Sequence, residues 1–388
     1  MLASAPRPMR VHLRPQQRTI DIDGRRRVGQ LLVELGILPG TAMVIRGDLL
    51  LTDAEMVEDG EEVEIRAVIS GGSGGERTMK CTRCRAPAEV QLRAHNAAFC
   101  RPCFLFFVRR QVERAITGER MFAPTDRLLV AVSGGKDSLA LWDILADLGY
   151  DTTGLYVGLG IGEYSDRSHE KVVTFADRRG LPLRVVRLAD EAGGLAVPVV
   201  AQLTRRPACA ACGTMKRHYF DTAAAEGGFD VLVTGHNLDD EAARLLGNVL
   251  RWQRDHLARQ RPVLPPTHPR FARKVKPFFL TSEYETAVYA FMRGIDYIVE
   301  ECPNAAGATQ LVYKDTLNRL EAASPGTKLA FVKEFQRTAQ PLFADPERRD
   351  PQACGRCGMP AYGTTCAFCS LVQTVERKRP STHAVAPA

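Results

Sequence analysis

The sequence predicts an α/β protein centred on a mostly parallel, doubly wound sheet, with a small α+β unit before it and cysteine-rich units at both ends of it. Three observations carry this reading. From residue 127 onward, four short apolar runs, "RLLVAV", "GLYVGL", "LRVVRL" and "VLVTGH", alternate with helical segments, the pattern of parallel strands joined by crossover helices. A glycine-rich loop, "SGGKDS", follows the first run directly. The eleven cysteines fall into groups of four, three and four, with five Cys-x-x-Cys pairs and one residue left over.

The bulk numbers set the frame. A chain of 388 residues holds two or three domains with ample core. The net charge of +7 and pI near 8.9 favour an anionic partner. The opening "MLASAPRPMR" has no apolar core of a secretory signal, and no window approaches the ~18 uninterrupted apolar residues of a membrane helix. A cytoplasmic protein with no membrane partner is expected, its thiols reduced and serving metals or catalysis.

Residues 1–72 form the first expected unit. "MRVHLR" and "RTIDID" read as a hairpin turning near "QQ", "RRVGQLLVELG" as a short helix stopping at Gly36, and "AMVIRG", "LLLT" and "EEVEIRAVI" as further strands. Hairpin, helix, then strands is the order of a β-grasp fold, although an unrelated small α+β domain would read the same way. Residues 73–78 are the expected linker, 79–110 the first cysteine unit, 120–345 the α/β domain, 350–372 the second cysteine unit, and 373–388 a disordered tail.

The cysteine units carry a local signal. "CTRC…CRPC" supplies Cys81, Cys84, Cys100 and Cys103 with fifteen residues between its pairs, and "CGRC…CAFC" supplies Cys354, Cys357, Cys366 and Cys369 with eight. Two facing Cys-x-x-Cys knuckles provide the four thiolates of a tetrahedral structural zinc, so two Zn2+ are expected. His95, inside the first unit, is surplus to that count and is expected to be an exposed loop residue.

The glycine loop sits where α/β sheets bind ligands, between a strand end and a helix N-terminus that favours anions. Ser133, Gly134, Gly135, Lys136, Asp137 and Ser138 offer backbone N–H groups, hydroxyls and a cation to phosphate. The loop is too short for the Walker pattern GxxxxGK[ST]. Cys209, Cys212 and Cys302 form the group of three. A closed zinc site wants four ligands, whereas a cubane iron–sulfur cluster can be held by three with one iron open. By spacing alone, a zinc completed by His or Asp, or plain buried thiols, stays equally open. Residues 251–276 carry Arg251, Arg254, Arg259, Arg261, Arg270, Arg273, Lys274 and Lys276 against the single acid Asp255. That density suits phosphate contact, and Trp252 or Phe271 suits stacking on a base. A merely solvated charged face is the plain alternative.

"SGGKDS", "CAACGTMKR", "GHNLDDEA" and "CPNAAGATQLVYKDTLNRLE", in this order, resemble the TtuA-type tRNA 2-thiolation enzymes of the PP-loop ATP-pyrophosphatase superfamily. The likeness spans about residues 79–372. It implies a Rossmann-like catalytic domain, ATP with Mg2+ at Ser133–Ser138 and at Gly235 and His236 of the "TGHN" turn, and a 4Fe–4S cluster on Cys209, Cys212 and Cys302. The family pattern marks Lys216 and Asp240 as catalytic candidates; surface salt bridging and helix capping are their plain alternatives. It also implies tRNA as substrate, with Arg251, Arg254, Arg259, Arg261, Arg273 and Lys274 as tRNA-binding candidates, and a homodimer.

The first unit resembles the ThiS/MoaD sulfur carriers, which end in Gly-Gly. "DGEEVEIRAVISGG" runs from Asp59 to Gly72 in the carrier interval, so Gly71 and Gly72 are in register and Gly74–Gly75 overshoot. Such a carrier works through an adenylated terminal carboxylate made by an E1-like activating enzyme. Here Ser73 follows Gly72, so a carrier role requires a cut at that bond. The function expected is ATP-dependent 2-thiolation of a tRNA uridine, T-loop 5-methyluridine first, with sulfur from a carrier fused or in trans. A wobble uridine, a cytidine, a small metabolite, or a non-catalytic nucleotide-binding fusion are the alternatives.

Overall fold

The computed structural model describes residues 8–38, 41–68, 79–190, 194–305, 307–343 and 350–379. Gly71, Gly72 and the 73–78 linker lie outside them.

The first unit is a five-stranded sheet in the order Arg18–Ile22, Met9–Arg14, Glu62–Ala67, Ala42–Arg46, Leu49–Leu51. Met9–Arg14 runs parallel to Glu62–Ala67 and the other pairs are antiparallel. Helix Val28–Glu34 buries Val28, Leu31 and Leu32 against one face, over Met9, Val11, Val44, Val63 and Ile65. Strand Ala42–Arg46 departs from simple alternation: its first four residues are all buried. Ala42 and Val44 belong to the core under the helix, while Met43 and Ile45 belong to the large core of the following units.

In the first cysteine unit, strands Val90–Leu92 and Ala97–Phe99 pair antiparallel, and Cys100 begins helix Arg101–Gly118. Phe104, Val108, Val112 and Ile116 recur every fourth residue along it and are buried, one stripe of a helix packed on a core.

The central sheet has six strands in the order Leu183–Arg187, Thr152–Gly158, Leu128–Val132, Val231–Thr234, Arg273–Val275, Val263–Leu264. The first five are parallel and the last is antiparallel. Leu128, Leu129 and Val130 are wholly buried, as expected of a strand covered on both faces. The chain leaves this strand to one side for Thr152–Gly158 and Leu183–Arg187, then returns to its other side at Val231–Thr234. That reversal opens a crevice at the carboxyl ends of the strands. Arg273–Val275, inside the basic run, is one of these strands.

Two expectations are corrected. The tail expected from 373 is helical through Lys378, because helix Ala367–Lys378 turns Leu371, Val372 and Val375 into the second core of the α/β unit. His95 is not an exposed loop residue: its Nε2 lies 3.1 Å from Glu285 Oε1, and its ring packs edge-on against Phe107. In the basic run, half-buried Arg273 donates to the Met121 carbonyl at 3.1 Å and Lys274 pairs with Asp221 at 2.8 Å. Among the described residues no helix is long and apolar enough to cross a membrane.

Candidate active site

A cavity of about 370 Å³ opens at the crevice. One wall is the glycine loop, the opposite wall carries Cys212, Lys216 and Cys302, and Gly235, His236 and Asp240 form the rim between them.

The loop is shaped by backbone conformation. Gly134 has φ +76°, and a Cβ there would meet the Ser168 carbonyl oxygen at 2.6 Å, so only glycine fits. Ser138 Oγ accepts from the Ser133 N–H at 3.1 Å and donates to the Gly135 carbonyl at 3.0 Å, which closes the turn over the start of helix Lys136–Asp147. Across the crevice a Cβ on Gly235 would lie 3.0 Å from the Ser138 backbone N. The two glycine turns therefore approach each other with backbone N–H groups at a helix N-terminus, an arrangement that receives phosphate.

Beside the loop runs a ladder of charges. Lys136 Nζ donates to Glu283 Oε1 at 2.7 Å and contacts Asp137 Oδ2 at 3.1 Å. Glu283 Oε2 accepts from Lys314 Nζ at 3.0 Å, and Lys314 Nζ lies 2.7 Å from Asp240 Oδ1. Asp137 Oδ1 also accepts from Asn237 Nδ2 at 3.1 Å and from the Thr286 hydroxyl. Burial pushes Asp240 up, but the Lys314 ammonium outweighs it and holds the carboxyl well below the usual range. Burial pushes Lys314 down, and Asp240 and Glu283 hold it well above the ordinary amine value. Asp240 is thus ionised at neutral pH, fit to bind a cation or accept a hydrogen bond. It is also the third residue of helix Leu238–Leu250, where it completes a capping box with Asn237, so the capping alternative and the cavity position coexist.

The cysteine wall is built by helix Ala208–Gly227. Cys209, Cys212 and Lys216 stand at i, i+3 and i+7, on one face, with both thiols in the first turns, where the helix dipole favours negative charge. Cys209 Sγ lies 3.4 Å from the Asn304 carbonyl oxygen, which brings it to the loop carrying Cys302. Burial pushes the Cys212 thiol up and the Lys216 ammonium opposes that. Among the described residues, the two four-cysteine sets bring all their sulfurs within 4.8 Å of one another, and these three cysteines do not form such a set. At least one pair of them therefore stands more than 4.8 Å apart.

In the four-cysteine sets, backbone N–H groups aim at sulfur: Cys366 N donates to Cys354 Sγ and Cys369 N to Cys366 Sγ, each at 3.3 Å. Burial pushes these thiols up; at Cys81 and Cys354 such N–H contacts outweigh it and hold both down to about 6, while Cys100, Cys103, Cys357 and Cys369 stay raised. The second set is tied to the cysteine wall by His218, whose ring stacks on Phe368 with centroids 3.8 Å apart.

The basic candidates divide. Arg251, Arg254 and Arg259 are exposed around Trp252, itself 72% exposed. Arg261 lies instead on the wall of a separate cavity with Lys333 and Arg337. Sequence reasoning missed Glu283 and Lys314 as site residues. Lys314 sits inside the quoted "YKDTLNRL" stretch, but no local spacing links it to Asp240.

Residues 106–304 match the family model described as PP-loop domain, and residues 80–105 match that of the 2-thiouridine synthetase TtuA N-terminal LIM domain. The chain is 49% identical over 300 residues to the tRNA-5-methyluridine(54) 2-sulfurtransferase of Thermus thermophilus, covering 77% of this chain and 93% of that protein. It is 34% identical over 311 residues to cytoplasmic tRNA 2-thiolation protein 1 of Bos taurus, covering 78% and 89%. The solved U34-tRNA thiolase NcsA of Methanococcus maripaludis, with its [4Fe-4S] cluster, superposes with a TM-score of 0.65 at 26% identity, covering 76% of this chain and 96% of that one.

Proposed function

We propose that this chain, which belongs to the PP-loop family of the tRNA-5-methyluridine 2-sulfurtransferases, replaces O2 of the T-loop 5-methyluridine of tRNA with sulfur at the expense of ATP. One observation carries the reading: a single cavity joins a phosphate-shaped glycine loop to Cys212, Lys216 and Cys302. The relatives' names give the acceptor, and the name of the bovine relative supports a cytoplasmic setting.

Uracil O2 is a poor leaving group, so activation comes first. O2 attacks the α-phosphorus of ATP and pyrophosphate leaves; a sulfur nucleophile then attacks C2, and AMP departs with the former O2. In this reading Gly134 and Gly235 let the two turns pack closely enough to aim their backbone N–H groups at the phosphates, Ser133 and Ser138 add hydroxyls, and Lys136 and Asp137 hold the loop. His236 lines the nucleotide side. Asp240, kept ionised by Lys314, binds Mg2+ or accepts from the base. Lys216 neutralises the charge that develops beside the thiols. Cys209, Cys212 and Cys302 fit a 4Fe–4S cluster by their donor set of three thiols; when bound, it would supply an iron open to sulfide. The two four-cysteine sets fit Zn2+, which would lock both ribbons.

The strand order and covering helix of the first unit support the β-grasp carrier reading, with an E1-like enzyme as activator and Gly71–Gly72 as tail. The exposed Arg251, Arg254, Arg259 and Trp252 are the part of the basic run that suits tRNA phosphate and base contact, and the family resemblance points to a homodimer. Deleting the gene tests the function: 2-thiolated ribothymidine should vanish from tRNA digests, and its persistence would overturn the proposal.

A further inference from the structure

Strand Ala42–Arg46 of the first unit has two buried faces. Met43 and Ile45, 1% and 4% exposed, turn away from the unit's own helix, and Val68, 3% exposed, does so at the end of the last strand. All three lie in one continuous core with Phe99 of the first cysteine unit and with Met292, Ile295 and Tyr297 of the α/β unit. Apolar residues buried to this degree characterise the core of a lasting interface.

From the seam the chain runs directly to the site. Ile298, next to Tyr297, donates its N–H to the Gly134 carbonyl at 2.9 Å, and Cys302 lines the cavity. The core that takes in Val68 thus also takes in Tyr297, the neighbour of the residue that hydrogen-bonds the phosphate loop.

We propose that the first unit is a fixed subunit of the catalytic unit, docked through Met43, Ile45 and Val68, and that it stays bound when the chain between Val68 and Met79 is cut. The proposal deepens the carrier reading, on which its functional meaning rests: sulfur would be delivered to the docked unit's own cavity and not traded between copies.

The test uses the full chain with a site-specific protease sequence placed between Ser73 and Thr78. After cutting, native mass spectrometry and size exclusion should find the two fragments together in a 1:1 complex. Met43→Asp combined with Ile45→Asp should release the smaller fragment, and the milder Val68→Ala should weaken the cut complex by about tenfold. Separation of the fragments on cutting the unsubstituted chain would overturn the proposal. Co-elution supports docking whether or not the cut complex still thiolates tRNA, so failure of the carrier reading registers separately.

Discussion

Lys314 holds its ammonium 2.7 Å from the carboxylate of Asp240, which makes this cavity-lining carboxylate one end of a largely buried ion ladder. Replacing Lys314 by Met leaves Asp240 and Glu283 short of a cation. Breaking such a pair should cost about 3 kcal/mol. Melting of the purified variant should read that loss. The pH–rate profile should gain an acidic limb absent from the parent, because Asp240 then titrates nearer the ordinary carboxylate range.

His218 gives the molecule a pH dependence of known sign. Burial lowers its pKa to about 4, so the folded state binds its proton less readily than the unfolded chain. Its contribution to stability is complete above the ordinary histidine value of about 6.5 and is lost as pH falls from there towards about 4. His218→Phe keeps the stacking on Phe368 and should flatten the difference in melting temperature between pH 7 and pH 5.

Gly134→Ala tests the phosphate loop. Its positive φ and the 2.6 Å approach to the Ser168 carbonyl force the loop to shift, at about 1–3 kcal/mol. ATP affinity, read by calorimetry, should fall at least about tenfold.

The basic run should behave as two populations. Arg254→Ala or Arg259→Ala should weaken tRNA binding and reduce the slope of log K against log salt by about one each. Lys274→Ala should leave that slope unchanged and lower the melting temperature, because Lys274 is paired with Asp221.

These contrasts mark what can be read from the sequence. The strand Leu128–Val132 is legible because burial on both faces demands an unbroken apolar run, and the two four-cysteine sets because ligand spacing is local. Arg273–Val275 hides as a strand because its cations find partners at Met121 and Asp221, which no local pattern predicts. The ladder from Lys136 through Glu283 to Lys314 hides for the same reason: its links join residues 147 and 31 positions apart. The burial of Met43 and Ile45 reads locally as an ordinary strand, and only the packing of one unit on another reveals the second face.

The central claim is that one cavity couples ATP cleavage to sulfur transfer onto a tRNA uridine. The cluster-loaded, full-length protein, incubated with ATP, sulfide and unmodified-sulfur tRNA, should yield T-loop 5-methyluridine with one oxygen replaced by sulfur in the nucleoside mass spectrum. One AMP and one pyrophosphate should form per thiolated base, and Cys302→Ala should abolish the product while ATP still binds. Product from Cys302→Ala at the parental rate, or sulfur appearing only on another nucleoside, would contradict the account.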